Sequence, residues 1–203
     1  MDSIITTKKG DQGSSTLPDG RVVSKSSELI ECLGSLETLR AHLALLKIKI
    51  DNTNSPQKQS LSEFLMWLLH CIFITGSQLA DPSKKVTPSD HPKISKEHLE
   101  ILENFQLHLE KKVSLPRKFI VCGSNEISGY ADIVVSTARN FERKLVRFLK
   151  TSEGLIIQNE WLLPFYNRVS DFLFILARNL DENKFVTVDY SILSKDSSSL
   201  NAD

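Results

Sequence analysis

No CxxC pair occurs in this chain, and its three cysteines, Cys32, Cys71 and Cys122, are odd in number and far apart. That pattern supports neither a disulfide framework nor a zinc site. It fits a reducing compartment, and the cytoplasm is the expected one. There is no basic excess: 25 lysines and arginines balance 25 acids, so a nucleic-acid partner is not expected. The first residues, MDSIITTKKGD, show no apolar leader and no arginine-rich amphipathic start. The longest apolar run, FLMWLLHCIFI at residues 64–74, is too short to span a bilayer and contains His70. It reads as a buried helix, and no membrane partner is expected. No internal repeat is present.

What the chain does have is helical periodicity. Ser26 and Ser27 can cap a helix that runs to about residue 50, with Leu29, Leu33, Leu36, Leu39, Leu43 and Leu46 at helical spacing. DNTNSPQ breaks it, and a second helix covers about residues 58–80. DPSKKVTPSDHPK, with three prolines, reads as a mobile surface loop. Ser95 opens a third helix with a Ser-x-x-His variant of the capping box. SLPRKFIVCGSNE is a connector, and two further helices cover about 126–150 and 157–180. FVTVDYSIL alternates enough for a short strand but equally suits a tail, and SKDSSSLNAD has the composition of a disordered end. Five helices on short connections predict the all-α class, an antiparallel five-helix bundle. Residues 1–180 form its domain, and residues 181–203 a partly disordered tail.

Ahead of the first helix stands TTKKGDQGSSTLPDG, residues 6–20. It holds three glycines, two lysines and five hydroxyl side chains, and cannot build a core. Backbone N–H groups near Gly10 and Gly13 can approach an anion closely because no Cβ intervenes. Lys8, Lys9 and Lys25 add charge, and Ser14, Ser15 and Thr16 add donors. This is the chemistry of a polyphosphate cradle, though not at Walker spacing. Composition alone fits a solvated loop as well.

Two later segments carry paired charge. In STARNFERKLVRF, Arg139, Glu142 and Arg143 share a helical face. In FYNRVSDFLFILAR, Asn167, Asp171 and Arg178 share another, opposite Val169, Phe172 and Leu176. Each segment taken singly reads as surface ion pairing worth roughly 0.3–0.5 kcal/mol per pair.

TKKGDQGSSTL, GRVVSK, IECLGSLETL, LLHCIFITGSQLADP, KFIVCGS, ARNFER and NRVSDFLFILAR, in this order, resemble the PduO-type ATP:cob(I)alamin adenosyltransferases over about residues 4–180. The resemblance implies a helical bundle that assembles as a homotrimer, with ATP sites between subunits. It implies an enzyme: cob(I)alamin attacks C5′ of ATP, triphosphate leaves, and adenosylcobalamin forms. ATP, Mg²⁺ and cobalamin are then the expected ligands, with a reductase and a cobalamin-dependent mutase as further partners. The glycine-rich loop becomes a phosphate loop. By matching position, Thr7, Lys8, Lys9, Gly10, Ser15, Thr16 and Lys25 contact the nucleotide. So do Arg139, Asn140, Phe141, Glu142, Arg143 and Asn167, among which Arg139, Glu142 and Asn167 are assigned catalytic roles. Phe119 matches a phenylalanine below the corrin ring that offers cobalt no donor atom.

The chain departs from the family pattern at several of these positions. Asn140 and Val135 replace arginines, and Asp132 replaces a histidine. Cys122-Gly123-Ser124 stands where the family has PGG. The family's DELN is Glu37-Thr38-Leu39-Arg40, in which Arg40 is placed to pair with Glu37. The alternative expectation is therefore a divergent ATP- or corrinoid-binding protein of the same fold with little or no transfer.

Overall fold

The computed structural model describes Thr6, residues 8–86, Pro88, and residues 90–182 and 184–194. Thr7 and most of the expected disordered end, residues 195–203, lie outside the described residues.

Five helices make the frame: α1 (Glu28–Asp51), α2 (Lys58–Ala80), α3 (Lys96–Glu110), α4 (Glu126–Leu149) and α5 (Leu162–Leu180). Each of three starts has a polar reason. Ser27 Oγ accepts from Ile30 N at 3.3 Å and opens α1. At α3, Ser95 N donates to His98 Nδ1 at 3.3 Å, closing the expected box. At α4, Asn125 Oδ1 accepts from Ile127 N and Ser128 N.

α4 lies against both α1 and α5, α2 against α1, and α3 covers α5. The buried row of α1 is Leu29, Cys32, Leu36, Leu39, Leu43, Leu46 and Ile50. Leu33, expected in that row, is only half-buried. Each large aliphatic or aromatic side chain buried here stabilises the fold by about 1.5–3 kcal/mol. Tyr166 is among them, and its hydroxyl donates to Thr75 Oγ1 at 2.8 Å. Burial pushes that hydroxyl's pKa up. α2 is long and apolar enough to cross a bilayer by composition, but its row from Leu61 to Leu79 is buried inside the bundle.

Two places differ from expectation. The fifth helix begins at Leu162, not near residue 157. Asn159 ties the preceding segment across the bundle: Nδ2 donates to Gln78 Oε1 and Ile94 O, and Oδ1 accepts from Trp161 N. Those bonds bend the chain, and Pro164 then sits in the first turn, where its missing N–H costs nothing. The connector and the C-terminal segment also pair with each other. β3 (Ile120–Cys122) runs antiparallel to β4 (Val186–Thr187), and a 3-10 turn, Tyr190–Ser194, follows.

A hairpin precedes the bundle. β1 (Ser14–Thr16) pairs with β2 (Val22–Ser24), Ser15 opposite Val23. Leu17 at its turn is buried in the core. Arg21 rivets the hairpin down, with its guanidinium on Asp19 (2.5 Å), Glu153 (2.6 Å) and the Ala80 carbonyl (3.3 Å). Burial opposes ionisation of Asp19, yet the Arg21 backbone N–H and guanidinium hold its carboxyl below the usual range.

Candidate functional site

The residues singled out in the sequence fall into three groups. The first is the hairpin. Two overlapping turns, Asp11 N to Lys8 O (3.3 Å) and Gly13 N to Gly10 O (3.2 Å), coil residues 8–13. Lys8 itself has φ 58°. Lys25 closes the coil, with Nζ donating to Gly10 O at 2.8 Å. A Cβ at Gly10 would sit 3.0 Å from that ammonium, so a side chain there would push Lys25 off the coil. Lys8, Lys9 and Thr16 are exposed, and Ser15 is half-buried. The loop therefore carries exposed Lys8 and Lys9 on a coiled backbone that the Lys25 ammonium clasps, the kind of charge an anion cradle needs.

The second group is an open groove of about 420 Å³ between α4 and α5, lined by Arg139, Glu142, Arg143, Val146, Asn167, Ser170 and Asp171. Asn167 Nδ2 donates to Glu142 Oε1 at 3.1 Å. Asp171 is paired outward with Arg168 at 2.7 Å, and Arg168 also bonds Glu103 at 3.1 Å. The groove's own cations, Arg139 and Arg143, are thus left facing the open space, with Arg143 Nη2 3.5 Å from Asn140 Oδ1. Phe141 does not line this groove. It is fully buried, edge-on to Tyr166 with ring centroids 4.5 Å apart, and fixes α4 against α5 instead.

The third group surrounds Phe119, which is 79% exposed. With Arg117, Lys118, Thr187, Asp189 and Tyr190 it borders a cavity of about 650 Å³. Tyr190 is 71% exposed and Val121 61%, so this end of the molecule presents open apolar surface beside charge. For the C-terminal side of this cavity the sequence signal was the alternation in FVTVDYSIL. Ser170 in the groove lies in the NRVSDFLFILAR segment but was given no role there.

Among the departures, Val135 is buried and Asp132 bonds the buried Arg178 at 2.6 Å. Arg40 does not pair with Glu37; its guanidinium lies over the Phe73 ring, 5.5 Å from the centroid. Cys32 and Cys71 are free and buried, and burial pushes both thiols up to about 12.

The profile of the family described as Cobalamin adenosyltransferase matches residues 5–180. A cobalamin adenosyltransferase of Cupriavidus metallidurans is 30% identical over 179 residues, covering 88% of this chain and 89% of the relative. The corrinoid adenosyltransferase PduO of Citrobacter freundii is 32% identical over 88% of this chain, which spans half of that relative's length. A solved variant of a PduO-type ATP:corrinoid adenosyltransferase from Lactobacillus reuteri, complexed with cobalamin and ATP, is similar at TM-score 0.76 and 24% identity, covering 92% of this chain and 98% of that one. Another variant of that protein, complexed with ATP, is similar at TM-score 0.72 and 25% identity, covering 92% and 99%.

Proposed function

The chain belongs to the cobalamin adenosyltransferase family, and we propose that it transfers the 5′-deoxyadenosyl group of ATP to cob(I)alamin. The observation that carries this reading is the convergence of Arg139, Glu142, Arg143 and Asn167 on one groove, in a chain that also anchors a lysine-rich glycine loop. Cobalt(I) supplies the electron pair that forms the Co–C5′ bond. The C5′–O bond breaks, and its electron pair leaves with triphosphate. Negative charge builds on that leaving group, so Lys8, Lys9, Lys25, Arg139 and Arg143 stabilise the transition state more than the ground state. Glu142 holds the Asn167 amide, leaving its carbonyl oxygen and second N–H for the nucleotide. Mg²⁺ enters as the counter-ion of ATP, on phosphate oxygens. Exposed Phe119 and Tyr190 suit the broad apolar face of a corrinoid.

No hairpin residue lines the α4–α5 groove, which favours a site completed between copies in a homotrimer. The reaction consumes reduced cobalamin, so a reductase supplies it and a cobalamin-dependent mutase takes the product. The free thiols of Cys32 and Cys71 suit the cytoplasm.

Val135 favours a second reading, an ATP- or corrinoid-binding protein without efficient transfer, because its buried side chain offers no cation at a position where the family has one. An anaerobic assay with ATP, Mg²⁺ and reduced cobalamin decides between them. The visible spectrum of adenosylcobalamin should appear with turnover. Nucleotide binding without that spectrum would overturn the transferase reading.

A further inference from the structure

Arg178 is 1% exposed, and the reaction described above makes no use of it. A guanidinium is stable at such depth only when carboxylates face it. Two do. Nη2 donates to Asp132 Oδ2 at 2.6 Å, and Nε lies 3.3 Å from Asp181 Oδ2, an ionic contact without hydrogen-bond alignment. The Phe174 ring covers the group, its centroid 5.5 Å away.

Asp181 is itself 1% exposed, and its other oxygen turns to the connector. Oδ1 accepts from Ser124 N at 2.7 Å and from Ser124 Oγ at 3.2 Å. Asn125 Nδ2 donates to Leu180 O at 2.9 Å. A Cβ on Gly123 would clash with Ser128 Oγ and stand 3.0 Å from Asp181 Oδ1, so the backbone here passes close to both. At the other end of the connector, Val188 N donates to Phe119 O at 2.8 Å. Phe119 is too exposed for its own ring packing to hold it. These backbone ties at both ends set where it stands.

We propose that Asp181, buttressed by Arg178, is a positioning residue for the corrinoid: it fixes residues 119–124 so that Phe119 is presented to the ring. The proposal rests on the transferase reading. Asp181→Ala removes the acceptor for Ser124. It should raise the KM for cob(I)alamin about tenfold and leave the KM for ATP within about twofold. Amide hydrogen exchange should quicken at residues 119–124 and not in α1 or the hairpin. Asp181→Asn keeps an oxygen for the Ser124 amide, so its corrinoid KM should fall between the two; it also carries the test if the alanine variant does not fold. Both KM values rising together, or unchanged exchange in the connector, would overturn the proposal. A wild type that transfers nothing would overturn the transferase reading and with it the corrinoid half of this proposal. The exchange measurement would still decide whether Asp181 fixes the connector.

Discussion

Lys25 donates to the Gly10 carbonyl while remaining exposed, so its charge is held at the loop without being buried. A charge-assisted contact from such an ammonium to a phosphate is worth about 1–3 kcal/mol. Lys25→Ala should weaken Mg-ATP binding by that amount in calorimetry while the thermal midpoint stays put. An unchanged affinity would take Lys25 out of the site. Gly10→Ala should act similarly, because its methyl would displace the same ammonium. A second residue-scale outcome follows from burial. With thiols pushed up to about 12, Cys32 and Cys71 hold almost no thiolate at pH 8. Site-resolved mass spectrometry after a brief exposure to iodoacetamide at that pH should find both unmodified in the folded protein and modified in urea. Rapid labelling of either in the native state would contradict the packing described for α1 or α2.

Between elements, α1 and α4 are laced by charge: Glu31 with Lys144, Glu28 with Arg147, and Lys49 with Glu126. The Lys144 ammonium holds the Glu31 carboxyl below its usual 4.5, and Lys49 does the same for Glu126. A depressed folded pKa gives stability that is present above the unfolded value and lost as pH falls through the folded one. The urea midpoint of wild type should therefore exceed that of a Glu31→Gln, Glu126→Gln variant at neutral pH, and the gap should narrow as pH falls below the ordinary 4.5 and close below the lowered folded values. A gap of constant size down to pH 3 would show that the lacing contributes nothing through charge. The helices themselves were legible, because leucine spacing and the caps at Ser27 and Ser95 are local signals, and Asn125 adds a third cap that was not read. The start of α5 was not. Ile156, Ile157, Trp161 and Leu162 continue an apolar pattern, and nothing local reveals that Asn159 is tied to Gln78 and Ile94. The β3–β4 pair was hidden for the same reason, since its partners are more than sixty residues apart. Of the candidate site, charge spacing showed only that Arg139, Glu142 and Arg143 share a helical face; it was the resemblance that joined Asn167 to them. Helical phase alone would have placed Phe141 on the buried side, where it lies.

Across the whole molecule, the proposed reaction draws on two groups: Lys8, Lys9 and Lys25 at the hairpin, and Arg139, Arg143 and Asn167 in the α4–α5 groove, whose lining includes no hairpin residue. An α1–α2 groove of about 410 Å³ edged by Leu33, Leu36, Arg40 and Phe73 also lies open, and Phe73 is 61% exposed. A cyclic trimer would cover such surface and bring one copy's hairpin to the next copy's groove. Light scattering should give three times the chain mass, and Phe73→Glu should shift it toward one. The sharper measurement mixes two impaired chains, assayed at an ATP concentration far below what either needs for turnover. Lys25→Ala spoils only the hairpin half and Asn167→Ala only the groove half. Unfolded together in equal amounts and refolded, they form rings in which each site takes its hairpin and its groove from different chains. A site is intact when an Asn167→Ala chain gives the hairpin and a Lys25→Ala chain gives the groove, which random assembly produces at about a quarter of sites. Activity should recover to about that fraction of wild type. If hairpin and groove of one chain served the same site, every site would keep one damaged half and no activity would return.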